Sequence, residues 1–286
     1  MRNYFEDQAG IPISKGSIAN FNTEARQRLN KFEEWPKIQV IASPLNHADE
    51  TGISVGGKRL WLHNVSNDRV TLFHADEKRG KEAMDRMGVL PLFYGTLCHD
   101  HWKPYFSYDC KHSLCNAHHL RELDWCAELE GQQWAKRMIE LLNEINQEKV
   151  KLGSVAKEQQ ILFQKRYRTI LTQGEVECPI VEKKEMKRGR VKKSKSRNLL
   201  EHLRDFEEET LRFMRETSVP FTNNQGENDI RMTKVQQKIS GCFRSMSGAK
   251  QFCRIRSYIS TCHKNGINPT EALKLLFDGK LPTSVT

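Results

Sequence analysis

Three carboxylates stand where a fold could bring them together to bind metal ions. Asp49 opens the first strand-like segment, Asp100 directly follows a later apolar run, and Glu227 stands at the start of a helical stretch. Three such groups at one place repel each other unless cations bind there. Oxygen ligands suit Mg²⁺, and a pair of such ions stabilises the attacking and leaving oxygens in phosphoryl transfer. The residues therefore indicate metal-dependent phosphoryl transfer.

Spacing alone leaves a simpler interpretation open. The chain contains 36 aspartates and glutamates, so three of them at some spacing are also compatible with surface acids or helix caps. Glu227 would be favoured at a helix N-terminus by the helix dipole alone.

Hydrophobic patterning predicts the strands that would position these acids. From Asp49 to Phe73, three apolar strips are separated by Gly56-Gly57 and by a polar turn cluster, which predicts an antiparallel meander. The segment GKEAMDRMGV predicts a short helix that ends at Gly88. The apolar run LPLFYGTLC, residues 90–98, predicts a buried fourth strand.

The rest of the chain predicts helices. A first helix begins near Ser17 and ends at Pro36, and residues 112–175 are mainly helical. Further helices are predicted for NLLEHLRDFEEETLRFM with Asn198 as its N-cap, and for ENDIRMTKVQQKI, KQFCRIRSYISTCHKN and PTEALKLLF.

This order of elements fits a ribonuclease-H-like α/β mixed sheet with a long helical insertion before the last core helix, although taken alone it also fits several α+β folds. In such a sheet the first and fourth strands are neighbours, which would bring Asp49 and Asp100 together. The predicted division is a helical lead-in, the first part of the core, a mainly helical insertion with a basic linker at 183–197, and the catalytic helix with the C-terminal helices. The boundaries are 1–45, 46–110, 111–217 and 218–286.

The composition of the chain indicates which classes of partner it can bind. The 286 residues carry a formal net charge of +10, which favours a polyanion, with nucleic acid first and an anionic membrane surface second. No signal peptide and no apolar run of about 18 residues is found, so we expect no membrane span. The eight scattered cysteines favour free thiols in a reducing cytoplasm.

Longer strings of residues carry a family resemblance. The segments HADETGISVGGKRLWLHNVSNDRVTLF, CNAHHLREL and VPFTNNQGENDIRMTKVQQKISGCFRS closely resemble the transposases of the insertion sequence sixty-six family. The resemblance runs from about residue 10 nearly to the C-terminus. It implies a ribonuclease-H-like domain with an Asp-Asp-Glu triad, which by position is Asp49 of DETG, Asp100 of HDHW and Glu227 of NNQGEND.

The resemblance also implies a reaction and its partners. We expect Mg²⁺-dependent cleavage of DNA at transposon ends and strand transfer to target DNA, with Mn²⁺ able to substitute. Other element-encoded proteins and a homo-oligomer on DNA are expected partners. Full-length members of the family are longer, so we expect the chain to lack their N-terminal, end-binding region.

Basic residues follow Glu227. Arg231, Lys234 and Lys238 recur at three- and four-residue spacing on the helix face that Glu227 shares, and Arg244 follows. They are candidates for phosphate contacts that position DNA. An ordinary solvated basic face is the alternative.

Residues 98–126 contain four cysteines and five histidines. Cys115 and His118 share a helix face, which would suit zinc, but no second ligand pair is evident. We therefore expect a structural or near-site role for both, without zinc. Glu122, farther along the same helix, is a minor candidate for supporting the site.

Three other functions remain open. A metal-dependent nuclease of the same fold would cut DNA without joining it. A truncated, inactive remnant would bind DNA without metal-dependent turnover. A structural or RNA-binding protein is the least favoured, since no aromatic-rich RNA-binding motif is present.

Overall fold

The computed structural model describes residues 6–7, 10–180 and 193–285. Five strands form one mixed sheet in the order β3-β2-β1-β4-β5. The strands are β1 (Leu45–Val55), β2 (Lys58–Ser66), β3 (Thr71–Asp76), β4 (Thr96–His99) and β5 (Lys111–Leu114). The predicted ribonuclease-H-like α/β class is confirmed.

Helices account for most of the remaining described residues. They are α1 (Lys15–Arg28), α2 (Glu34–Ile41), α3 (Lys81–Met87), α4 (Asn116–Leu129), α5 (Gln133–Leu152), α6 (Lys157–Glu177), α7 (Lys195–Asp205), α8 (Glu207–Arg215), α9 (Asn224–Ser240), α10 (Met246–Lys264) and α11 (Pro269–Phe277). None of the helices in the described ranges is both long enough and apolar enough to cross a membrane.

The chain divides into two compact units. The first comprises Met1–Gly95, Lys103–Cys110 and Asn224–Thr286, and the second comprises Thr96–Trp102 and Lys111–Asn223.

In the first unit, β1, β2 and β3 form an antiparallel meander. Gly56 and Gly57 turn the chain between β1 and β2 with φ of 56° and 80°, a conformation that favours glycine at both positions. Helix α9 packs on β1 and β2, while α10 packs on β3. The core between the sheet and these helices contains Ile53, Leu62, Phe73, Ile230 and Cys253.

In the second unit, β4 and β5 pair in parallel and helices α4 to α8 form a bundle. Trp134, Phe163 and Tyr167 are fully buried in it. Gly174 of α6 lies so close to the Trp134 ring and to Leu200 that a Cβ atom there would approach them within 2.7–3.0 Å. The close approach of α6 to its neighbours therefore requires a glycine at this position.

Much of the predicted order is confirmed. The three-stranded meander is present, and α3 ends at Gly88, whose φ of 75° is left-handed. Helix α5 lies within the range that was predicted to be helical, and α11 begins at Pro269, the first residue of the predicted helix PTEALKLLF. All eight cysteines are free thiols.

Other predictions were wrong at the level of single elements. Asp49 does not open β1, which begins four residues earlier at Leu45. Pro36 does not end a helix, because the first helix ends at Arg28 and Pro36 lies in the first turn of α2, where its missing N–H costs nothing. The run LPLFYGTLC is a strand only from Thr96, since Leu90–Leu92 is a 3-10 turn.

Two further corrections concern the insertion. Lys111–Leu114 is a strand, whereas the sequence predicted helix from residue 112. The segment predicted as one helix breaks at Phe206, and its first half begins at Lys195 with Ser194, not Asn198, as the N-cap. Residues 195–197 of the basic stretch are therefore helical, and residues 183–192 lie outside the described residues.

Candidate active site

Asp49 lies on β1, half-buried, on the face of the strand that α9 covers. It is paired in register with Asn64 of β2, so the two side chains share that face. Its Oδ1 atom accepts a hydrogen bond from the Glu50 backbone amide at 2.8 Å. One carboxylate oxygen of Asp49 is thus fixed by its own strand.

Asn64 connects this register position to the first turn of α9. Its Nδ2 atom donates to the backbone carbonyl of Gly226 at 3.4 Å, and Gly226 immediately precedes Glu227. Asn64 is buried, and its Oδ1 atom has no hydrogen-bond partner among the described residues. In the first unit, therefore, the strand of Asp49 and the helix of Glu227 are tied together by an asparagine that the sequence analysis did not single out.

Glu50 faces the opposite side of β1 and is committed to other partners. Its Oε1 atom accepts from Nη2 of Arg79 at 2.7 Å, and its Oε2 atom accepts from the Tyr105 hydroxyl at 2.6 Å. The Glu50 side chain is only 1% exposed, whereas Arg79 is 42% exposed and lies over the Trp61 ring. Of two adjacent acids, the buried one is bound by a partly exposed arginine and by a tyrosine, and the other faces α9.

Asp100 belongs to the second unit and directly follows β4. Its Oδ1 atom accepts from the Trp102 amide at 3.0 Å, which closes a turn at the end of the strand. Cys115 directly follows β5, whose register pairs His99 with Leu114. Asp100 and Cys115 therefore both lie at the carboxyl ends of two neighbouring parallel strands.

A buried histidine pair fixes the backbone at Asp100. The His99 ring donates through Nδ1 to the Asp100 carbonyl, and its Nε2 atom accepts from Nδ1 of His112 at 3.1 Å. Burial lowers the pKa of His99 to about 3, and the neighbouring His112 lowers it further. His99 is therefore neutral near pH 7, as this pair of hydrogen bonds requires.

Cys115, His118 and Glu122 lie at and after the start of α4. Cys115 is the N-cap and is buried, and its Sγ atom accepts from the Asn223 amide at 3.1 Å. His118 occupies the first turn and is half-buried, whereas Glu122 is exposed one turn farther along. This hydrogen bond connects the start of α4 to Asn223, and the structural or near-site role of the three residues stays a prediction.

The four basic candidates are all exposed, and within the described residues none of them forms an ion pair. They are Arg231, Lys234, Lys238 and Arg244. The first three share one side of α9, whereas Arg244 follows the helix beside Gly56. Their charges are available to an anionic partner.

The element order and the five-stranded mixed sheet define an α/β protein of the ribonuclease-H-like class. A family model described as the transposase IS66 family matches residues 1–251. The chain belongs to this family of transposases, so its function is DNA transposition and its partner is DNA. A search of the curated proteins gives no match to the chain.

Proposed function

We propose that the chain cleaves DNA at transposon ends and transfers the freed strand to target DNA, using Asp49, Asp100 and Glu227 to bind Mg²⁺. Family membership supports the reaction class, nuclease and transesterification chemistry on DNA. The observation that carries the assignment is the hydrogen bond from Asn64, opposite Asp49, to the carbonyl that precedes Glu227.

The side chains fit a divalent cation that prefers oxygen. All three proposed ligands are carboxylates, the ligand type that suits Mg²⁺ and Mn²⁺. The buried Oδ1 atom of Asn64 has no partner among the described residues, although it shares the sheet face of Asp49. A buried acceptor without a donor is unfavourable, and an ion or one of its water ligands would satisfy it. Structural zinc is usually bound by cysteine and histidine. Because all three proposed ligands are carboxylates, we propose no zinc at this site.

The chain itself supplies position and charge. Mg²⁺ would activate the attacking oxygen and stabilise the leaving oxygen. Water attacks the phosphodiester at the element end, which breaks the P–O3′ bond, frees the 3′-hydroxyl of the element and leaves a 5′-phosphate on the flanking DNA. The freed 3′-hydroxyl then attacks a phosphodiester of the target, forms a new P–O3′ bond and displaces the target's own 3′-hydroxyl. The turn at Asp100 and the register of β1 hold the carboxylates in place. The cationic side of α9 holds the DNA backbone near Glu227.

We also propose an oligomeric state, partner proteins and a cellular location for the reaction. A reaction on two DNA ends and a target requires more than one copy of the chain, so we propose a homo-oligomer on DNA, together with other element-encoded proteins. The place of action is the cytoplasm, where the eight free thiols stay reduced.

A strand-joining assay tests the proposal. The substrate is DNA that already carries the free 3′-hydroxyl, incubated with Mg²⁺ or Mn²⁺, and metal binding is measured in parallel by calorimetry. Asp49→Asn, Asp100→Asn and Glu227→Gln are expected to abolish joining and to weaken metal binding without unfolding the protein. Asp124→Asn, which changes an exposed acid of α4, is the matched control and should behave as wild type.

Other outcomes contradict the proposal in distinct ways. Cleavage without joining by the wild-type protein would make it a nuclease. DNA binding with no metal-dependent turnover would make it an inactive remnant. Joining that survives Asp49→Asn would remove Asp49 from the triad.

A further inference from the structure

A pocket on the helical second unit carries the chemistry of a nucleotide site. It lies between α4 and α7 and has a volume of about 420 Å³, within the range of small-molecule sites. Its polar and aromatic wall is formed by Arg121, Glu122, Trp125, Lys195, Asn198 and His202. We call it the Trp125 pocket.

We propose that the Trp125 pocket binds one unpaired nucleotide of the DNA substrate, with its base on the indole and its phosphate at Lys195 and Arg121. The proposal rests on the proposed function, because it assigns the pocket to the DNA strand that is cut and joined.

In the Trp125 pocket a lysine lies over an aromatic ring. The Lys195 ammonium lies 4.0 Å from the centre of the Trp125 ring. Trp125 is half-exposed and Lys195 is exposed, so both are accessible from solvent. Sites for single-stranded nucleic acid combine cationic groups with aromatic rings on which bases stack, and every base offers such a π face.

The positive charges on the wall of the Trp125 pocket exceed the negative ones. Arg121 donates Nε to the Ala117 carbonyl at 3.1 Å, and in the described ranges neither Arg121 nor Lys195 forms an ion pair. Glu122 is the one acid among the wall residues named above, so these residues carry an excess of positive charge. A phosphate would pair with both cations, whereas a neutral ligand would leave them unpaired.

An aromatic contact connects the wall of the Trp125 pocket to the residue that follows Asp100. The ring of His202, on the pocket wall, lies 4.5 Å from the ring of His101, and His101 directly follows Asp100 in the chain. His101 also packs edge-on against Phe206 at 4.2 Å, where α7 meets α8. One aromatic contact therefore separates the pocket from a proposed metal ligand in the same unit. A base held there belongs to a nucleotide close to the phosphate that reacts.

The pocket also explains why the base must be unpaired. A base in a duplex has both faces covered by its neighbours, so it cannot stack on an indole between two helices until it leaves the duplex. Asn198 is exposed at the rim and offers both a donor and an acceptor to the edge of such a base.

The test uses binding without catalysis. The probe is a duplex with a short 3′ single-stranded overhang that carries 2-aminopurine, compared with a blunt duplex of the same sequence, both in the absence of divalent metal. For the wild-type protein we expect tighter binding of the overhang probe and quenching of 2-aminopurine by the indole. Trp125→Ala should weaken overhang binding about 10-fold, abolish the quenching and leave blunt-duplex binding unchanged.

Matched variants make the result specific. Lys195→Ala should weaken overhang binding more than blunt-duplex binding, whereas Lys136→Ala, which removes another exposed lysine of the same unit, should affect both probes equally and weakly. Trp125→Phe keeps an aromatic face and should restore binding, which also answers the question if Trp125→Ala fails to fold.

The outcomes separate the two proposals. Equal binding of both probes by wild type and Trp125→Phe, or equal weakening of both probes by Lys195→Ala, would overturn the pocket assignment whatever the joining assay shows. Asp100→Asn should keep the overhang preference while losing strand joining. If wild type shows the overhang preference but never joins DNA, the proposed function fails and the pocket assignment stands.

Discussion

Asn64 lies directly opposite Asp49 in the register of β1 and β2, and it donates a hydrogen bond to the carbonyl that precedes Glu227. The amide side chain thus stands beside one proposed metal ligand and holds the backbone next to another. Its own carbonyl oxygen is buried without a partner among the described residues. A group of this kind fixes metal ligands without itself being one of the three carboxylates.

Asn64→Ala should therefore weaken metal binding more than folding. We expect a loss of about 10-fold in Mn²⁺ affinity and a loss of about 1 kcal/mol in the free energy of unfolding. Calorimetry and urea unfolding measure the two effects. Asn265→Ala is the control, because Asn265 also donates to a backbone carbonyl, that of Arg69, at 2.8 Å. Equal metal affinities for the two variants would remove Asn64 from the site.

The two adjacent acids of β1 should respond in opposite ways to substitution. Arg79→Ala removes a cation from the buried Glu50 carboxylate and should lower the free energy of unfolding by about 2 kcal/mol, since Arg79 is partly exposed and Tyr105 still donates. Asp49→Asn keeps its side-chain acceptor, so it should change stability by less than about 0.5 kcal/mol while abolishing metal binding.

Chemical unfolding of both variants measures this contrast. Lys81→Ala, which breaks an exposed ion pair with Asp85, is the control and should cost less than about 1 kcal/mol. If Arg79→Ala is as stable as the wild type, Arg79 does not stabilise the Glu50 carboxylate.

Buried histidines should make both units sensitive to acid. Burial lowers the pKa of His63 to about 4 and the pKa values of His99 and His119 to about 3. The unfolded chain binds these protons near pH 6.5, so below that pH it binds more protons than the folded state. Stability is therefore complete above about pH 6.5 and falls as the pH decreases towards the folded pKa values.

Each of these histidines contributes a slope of about 1.4 kcal/mol per pH unit between those limits. His119→Gln should reduce the pH dependence of the free energy of unfolding between pH 7 and 5 by about that slope. His263→Gln, at an exposed position of α10, should leave the dependence unchanged. Parallel curves for wild type and His119→Gln would contradict the burial argument.

The cationic side of α9 should contribute to DNA affinity through phosphate contacts. Lys234→Ala should weaken binding to unrelated duplexes uniformly and reduce the slope of log affinity against log salt by about 1. Lys165→Ala, an exposed lysine of α6, is the control and should leave the slope unchanged. A preserved slope in Lys234→Ala would place the DNA elsewhere.

Elements with a strong local pattern could be predicted from the sequence. The alternation in β1 to β3 and the paired glycines at 56 and 57 specify a meander because the period of two and the turn agree. The four-residue strand β5 could not be predicted, since it is too short to show a period of two. Helices α7 and α8 were predicted as a single helix because the helical spacing of apolar residues continues through Phe206.

The candidate site was predicted from the family resemblance more than from physics. Asp100 after a strand and Glu227 at the start of a helix could be predicted from the sequence, whereas Asp49 lies inside β1 rather than at its start, and Asn64 was not predicted. Its signal was present in LWLHNVSND, where a polar residue occupies the core-facing position two residues after Leu62. The Trp125 pocket could not be predicted, because its two walls are 70 residues apart in the chain and only the packing of α4 beside α7 brings them together.

The two-glycine turn at the end of β1 fixes the register that turns Asp49, and not Glu50, towards α9. Side chains alternate along a strand, so a shift of the hairpin by one residue would turn Glu50 towards α9 and bury Asp49 beside Arg79. Such a shift would remove Asp49 from the proposed metal site without altering any acid. The proposed activity therefore depends on the length of a loop as well as on the identity of the carboxylates.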